Sequence, residues 1–270
     1  MQVNKILVVY DPTSDYQPAL ERAVLIAGNE GNAIHLFSCI YSDLDGTADK
    51  TGEIENLVVL QQKILDEAIE PLVEQGLQVT TAIEWDKDWY HAVVEASKNS
   101  GVEAVIKASH KHSATQRLLK KSSDWTLIRQ CECPVLLVKD RPTGERRIVL
   151  AAVDLRGEKD HYEEINANIL DFCRRYVGAE NAELHFVNAH KDLSSRPDKG
   201  SMKRACGVAS ENVHIKMGEP SKVIVKTADE LGANLVVIGN SARSGFSAAV
   251  NHNTAEKILD ELECDLLAIP

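Results

Sequence analysis

The sequence predicts two doubly wound α/β units in tandem, each built on a parallel sheet. Short β-branched runs alternate with longer amphipathic stretches, the rhythm of strand–helix–strand crossovers. The runs Val149–Val153, Glu183–Val187, Val213–Lys216, Leu235–Ile238 and Leu266–Ile269 are nearly continuously apolar, as strands covered on both faces are. The pattern also occurs twice: ILVVYD (Ile6–Asp11) answers IVLAAVD (Ile148–Asp154), and CECPVLLVKD (Cys131–Asp140) answers LECDLLAIP (Leu262–Pro270). A repeat this long is a duplicated domain, because solenoid repeats run about 20–50 residues.

In chain order, the first strand ends at Asp11, and the Gly28–Asn32 turn precedes the second run, Ala33–Tyr41. Glu53–Glu74 carries apolar residues at three- and four-residue spacing and reads as a helix. In the second half, Val149–Val153 is followed by a helix over His161–Tyr176 and a turn at Gly178–Asn181. Pro220 suits the first turn of a helix over Pro220–Leu231, where its missing N–H is harmless, and Gly232 suits the stop. DRPTGERR (Asp140–Arg147) has the composition of a short linker, so the units are expected over residues 1–140 and 147–270.

Composition narrows the function classes. The 270 residues hold 30 Lys+Arg and 41 Asp+Glu, a formal charge of −11. Residues 1–141 carry −7 and 142–270 carry −4, so neither half has the bulk positive charge of a nucleic-acid or anionic-membrane binder. No apolar run approaches the roughly 18 residues of a membrane span. The opening MQVNKILVVYDPTSDY has no basic, apolar and cleavable segments, so the expected compartment is the cytoplasm. The six cysteines form no C-x-x-C pair and read as small buried hydrophobes in a reducing compartment.

Ligands of such sheets bind beyond the carboxyl ends of the strands. Two positions there stand out: Asp154, whose carboxylate can accept from ribose hydroxyls, and Gly239, which permits a tight turn and a close backbone approach. Asn253 or Thr254 is placed to cap the following helix, with Glu256 completing a capping box, and backbone N–H groups there can receive phosphate. A glycine turn and a helix cap are also plain structural needs of any α/β unit, and both readings stand on the residues alone.

The segments VIGNSARSGFSAAVNHNTAEKIL and MGEPSKVIVKTADELGANLVVIG, with EWDKDWYHAVVEAS (Glu84–Ser97) in the first half, resemble the universal stress protein family, in its tandem type E branch. The resemblance spans essentially the whole chain. It implies two Rossmann-like domains of the adenine nucleotide alpha hydrolase type, each a five-stranded parallel sheet of order 3-2-1-4-5. It also implies a site for ATP with Mg²⁺ or Mn²⁺, and a role in survival under stress, DNA damage included. The family's loop has glycine, two residues, glycine, nine residues, then glycine and Ser or Thr. These positions fall on Gly239, Ala242, His252 and Asn253, with Thr254 adjacent. The family aspartate falls on Asp154, and a backbone contact from the second strand falls near Val187. Ala242 adds a methyl where phosphate approaches, and His252 adds an imidazole that can donate to phosphate or plug the pocket.

In the first half Lys107 takes the first glycine position, His110 the second, and Lys121 lies near the third. Lys107, Lys111, Arg117, Lys120 and Lys121 read either as an anion surface or as a solvated basic loop. His110 and His112 lack a third ligand for a metal, and none is expected. The cluster Trp85–Tyr90 reads as a strand-to-helix turn packed on its own domain or as a partner contact. No nucleophile–base pair and no intact Walker loop are present, so a non-catalytic binding protein is expected. Its partners would be a small molecule, nucleotide or apolar acyl, the neighbouring domain, and a second copy in a homodimer. The alternatives are a slow ATP hydrolase around Asp154 and Gly239, and a scaffold with both pockets plugged.

Overall fold

The structure is a computed structural model that describes residues 5–109, 124–139, 147–155, 160–180, 182–240 and 257–270. The chain divides between Asp140 and Arg141 into two compact units.

The first unit runs β1 (Lys5–Tyr10), α1 (Pro18–Glu30), β2 (Ala33–Ile40), α2 (Lys50–Glu74), β3 (Val79–Trp85), α3 (Trp89–Asn99), β4 (Ala104–Ala108), a helical segment at 124–130, and β5 (Val135–Val138). Its strands pair in the order β3-β2-β1-β4-β5, all parallel. The central strand β1 is buried on both faces through Ile6, Leu7, Val8 and Val9. Helices above and below cover it, so its sequence is uniformly apolar rather than alternating.

The second unit repeats this path: β6 (Ile148–Ala152), α4 (Asp160–Glu180), β7 (Glu183–His190), α5 (Lys199–Cys206), a 3₁₀ turn at Ser210–Asn212, β8 (Val213–Met217), α6 (Pro220–Leu231), β9 (Leu235–Gly239), a helical segment at 257–261, and β10 (Asp265–Ile269). The order β8-β7-β6-β9-β10 is again parallel throughout. This is the order 3-2-1-4-5 that the resemblance implied.

Local signals account for the helix ends. Pro18 and Pro220 open α1 and α6, and Gly31 and Gly232 close them in the left-handed conformation at φ 71° and 66°. The helix expected from Glu53 starts at Lys50, because the Asp49 carboxylate accepts the Gly52 N–H at 2.9 Å and caps it. Gly28 and Gly178, expected in turns, lie inside α1 and α4. A mid-helix glycine costs about 1 kcal/mol against alanine, and α1 forms nonetheless with Ala23 and Ala27 buried.

Candidate functional site

In the second unit, α4 and β7 lock the end of β6 from two sides. Asn166 on α4 accepts from the Asp154 N–H at 3.2 Å and donates to the Asp154 carbonyl at 2.6 Å. Asn188 on β7 donates to the Val153 carbonyl at 3.0 Å. Both amides are buried, so hydrogen bonding to them fixes the backbone from which the Asp154 carboxylate projects. Sequence reasoning missed both. Their signal was an Asn between apolar neighbours, in INANIL and HFVNAH.

Val187 and Gly239 lie on the two strands that flank β6. Val187 pairs with Ala152, and its carbonyl accepts the Val153 N–H at 3.0 Å. The β7 residue level with Asp154 is therefore Ala189, two positions on. Gly239 ends β9. It is not among the described glycines with positive φ, so no left-handed turn explains it. A Cβ there would overlap Ile165 Cγ2 and come within 3.3 Å of Ile169 Cδ1. The close approach that Gly239 permits is that of α4 to the sheet. Ala242, His252, Asn253 and Thr254 lie outside the described residues.

A cavity of about 570 Å³ opens beyond Leu155 and is lined by Ser194, Arg196, Asp198, Ser201 and Met202 among others. Polar and apolar side chains both line it. The β7–α5 loop beside it is held by two carboxylates. Asp192 accepts the Ser194 hydroxyl at 2.6 Å and the Ser195 N–H at 2.9 Å, which hold its carboxyl down at about 2. Asp198 caps α5 by accepting the Ser201 N–H and hydroxyl, each at 2.8 Å, and these also lower its pKa. Both are anionic at neutral pH, and among the described residues of the wall Arg196 is the cationic group.

The first unit uses the same framework differently. Gln17 clamps the Asp11 backbone as Asn166 clamps Asp154, accepting from its N–H at 3.1 Å and donating to its carbonyl at 2.8 Å. The Asp11 carboxylate turns onto its own loop, accepting the Thr13 N–H at 2.8 Å and hydroxyl at 2.6 Å.

Strand register corrects one expectation. Ile6 pairs with Ala104 as Val149 pairs with Leu235, and the Ser109 and Asn240 N–H groups donate to Val138 and Ile269 in the same way. Ala108, not Lys107, therefore takes the place of Gly239. Lys107 matches Ile238. Alternating strand faces make this single-residue offset decisive. The Lys107 side chain packs inward: Nζ meets Asp124 Oδ1 at 2.7 Å, donates to the Ala108 carbonyl at 2.7 Å, and sits 5.1 Å from the Trp89 ring centre. Asp124 also accepts the Ser109 hydroxyl at 3.0 Å, and buried Lys139 reaches Ser109 Oγ at 3.4 Å. Lys111, Arg117, Lys120, Lys121, His110 and His112 lie outside the described residues. Among the described residues no three His, Cys, Asp or Glu side chains are grouped to hold a metal.

The Trp85–Tyr90 segment is a strand-to-helix turn. Trp85 ends β3 against Tyr41, with ring centres 5.8 Å apart, and Trp89 opens α3 against Lys107.

Two five-stranded parallel sheets of one topology, with the strand ends of the second beside an open cavity, define a tandem doubly wound α/β protein. The sequence profile of the universal stress protein family matches residues 2–139 and 179–270. Universal stress protein E of Photorhabdus laumondii subsp. laumondii is 30% identical, covering 98% of this chain and 94% of its own. Universal stress protein E of Escherichia coli K12 is 29% identical over 98% of this chain and 93% of its own. The crystal structure of a functionally unknown protein from Pseudomonas aeruginosa PAO1 superimposes with a TM-score of 0.76 at 28% identity, covering 99% of this chain and 92% of that one. The chain belongs to the universal stress protein family, with the family domain present twice. No helix among the described residues is long and apolar enough to cross a membrane.

Proposed function

We propose that this protein serves the stress response in the cytoplasm by binding, not catalysis, and that its ligand is a nucleotide, ATP with Mg²⁺ or Mn²⁺, held by the second unit. The observation that carries this reading is a cavity at a clamped strand end, which the second unit has. In the second unit Asp154 projects from a doubly clamped backbone next to a cavity of about 570 Å³. In the first, the Asp11 carboxylate serves its own loop and Lys107 is consumed by Asp124. Asp154 would accept the ribose hydroxyls, and Arg196 is the cation within the cavity wall that can face phosphate. The divalent ion would screen the phosphates against a unit whose formal charge is negative.

The test is a thermal-shift titration of the full chain with ATP and Mg²⁺ or Mn²⁺. A ligand that binds the folded state alone raises stability by about 2.7 kcal/mol at 100 times its Kd. The expected result is a saturable rise that Asp154→Ala removes and Asp11→Ala leaves in place. No shift at millimolar ATP, or an equal shift in the Asp154→Ala variant, overturns the reading. Release of phosphate above background in the same samples would replace the binding role with hydrolysis.

A further inference from the structure

The two units close the same sheet edge with very different helices. Between β7 and β8 the second unit uses α5, of 8 residues. Between β2 and β3 the first unit uses α2, of 25.

Helix α2 carries an apolar stripe that the first unit leaves largely exposed. Gln61, Leu65 and Leu72 are the buried residues of α2 and point at the sheet. A second stripe, Leu57, Leu60 and Ile64, follows the three- and four-residue spacing of a helix-pairing seam, displaced from the buried line. Leu60 is 55% exposed and Ile64 37%, while Leu57 is partly exposed. Large apolar side chains grouped in this way on a charged helix mark an interaction surface.

Charge selects the occupant. Over its length α2 carries six carboxylates (Glu53, Glu55, Asp66, Glu67, Glu70 and Glu74) and two lysines, Lys50 and Lys63. Glu53 and Glu67 lie one turn from Leu57 and Ile64 and border the stripe. A second copy of α2 would bring like charge against like, which disfavours self-pairing. We infer that the outer face of α2 docks a basic amphipathic helix of another protein, its leucine-type residues on Leu57, Leu60 and Ile64 and its Lys or Arg side chains against the bordering carboxylates. This surface belongs to the first unit, and the inference does not depend on the nucleotide site.

The probe is a synthetic helical peptide with leucine at the a and d heptad positions and lysine elsewhere, beside a counterpart with glutamate in place of lysine. Each is titrated calorimetrically into the full chain and into a Leu60→Ser, Ile64→Ser double variant, which keeps the charge and alters exposed positions only. The lysine peptide should bind wild type one to one, weaken as ionic strength rises, and bind the variant about tenfold less tightly or worse. The glutamate peptide should not bind. Hydrogen exchange on the wild-type complex supplies a readout that needs no variant: residues 57–64 should gain protection. Equal binding to wild type and variant, equal binding of both peptides, no binding, or protection elsewhere overturns the proposal. So does a wild-type dimer in sedimentation that the double variant loses, since a second copy would then own this face.

Discussion

The side chain of Ile165 stands where a β-carbon on residue 239 would go. Helix α4 therefore rests directly on the end of β9, and Gly239 is a packing glycine before it is anything else. This changes how a variant at that position must be read. Gly239→Val should destabilise the protein by about 1–3 kcal/mol, the usual cost of overpacking a core. Ile165→Ala should relieve part of that loss in the double variant. Urea denaturation of the four proteins in the cycle measures it; additive losses would show that the two residues do not meet. A β-branched residue at 239 is thus no clean probe of ligand binding, and Asp154→Ala is the better one.

Asp124 holds Lys107 and Ser109 together beneath the strand ends of the first unit. The Lys107 and Asp124 side chains are only 17% and 9% exposed. Removing one partner of such a pair leaves the other charge unmatched in a poorly solvated place. Asp124→Ala should cost roughly 3–5 kcal/mol, and Lys107→Met with Asp124→Leu should recover much of it. Equilibrium unfolding decides; a loss below about 1 kcal/mol for Asp124→Ala would place the pair effectively in water.

Stability should fall on acidification below about pH 6.5. Burial, reinforced by His185, Lys216 and Lys199, lowers the His214 pKa against the opposing pull of Glu230, and burial with Lys5 lowers that of His35. His214 Nε2 lies 3.0 Å from His185 Nδ1, and the far nitrogen of His185 lies 3.0 Å from Glu183 Oε1. A histidine depressed in the folded state binds fewer protons there than in the unfolded chain. Its contribution is whole above the unfolded value and is lost as pH falls through that value to the lowered one. Denaturant midpoints measured across this window should drop, and His214→Gln should shallow the slope. An unchanged slope would remove His214 as a source.

The thiols should divide into one reactive group and five slow ones. Burial pushes Cys39 up to about 11 and Cys173 and Cys206 up to about 12. Cys131 and Cys264 are also buried, whereas Cys133 is partly exposed. Thiolate is the reacting form. A thiol reagent near neutral pH should therefore label Cys133 first and the others only on unfolding. Fast labelling of two or more sites, located by peptide mass spectrometry, would contradict the burial of the thiols concerned.

The sheet was legible in the residues because buried parallel strands are apolar without interruption, as in ILVVY and LVVIG, and because two copies of the pattern corroborate each other. Pro220 and Gly232 marked their helix ends by conformations few other residues tolerate. The register of the first unit was harder. Lys107 and Ala108 are adjacent in the chain, and only the hydrogen-bond ladder shows which one matches Gly239. The clamps on Asp11 and Asp154 were hidden for another reason: Gln17 and Asn166 sit at different distances along the chain from their targets, 6 and 12 residues.

By itself the sequence determined a duplicated, parallel-sheet protein, since periodicity is a local property that survives without contacts, and its segments carried the resemblance to the universal stress protein family. Only the tertiary structure decided what the marked residues do. It gave Gly239 to Ile165, Lys107 to Asp124, and left Leu60 and Ile64 uncovered. Steric overlap, ion pairing and exposure depend on which groups are brought within a few ångströms, and that is set by how the helices lie on the sheet.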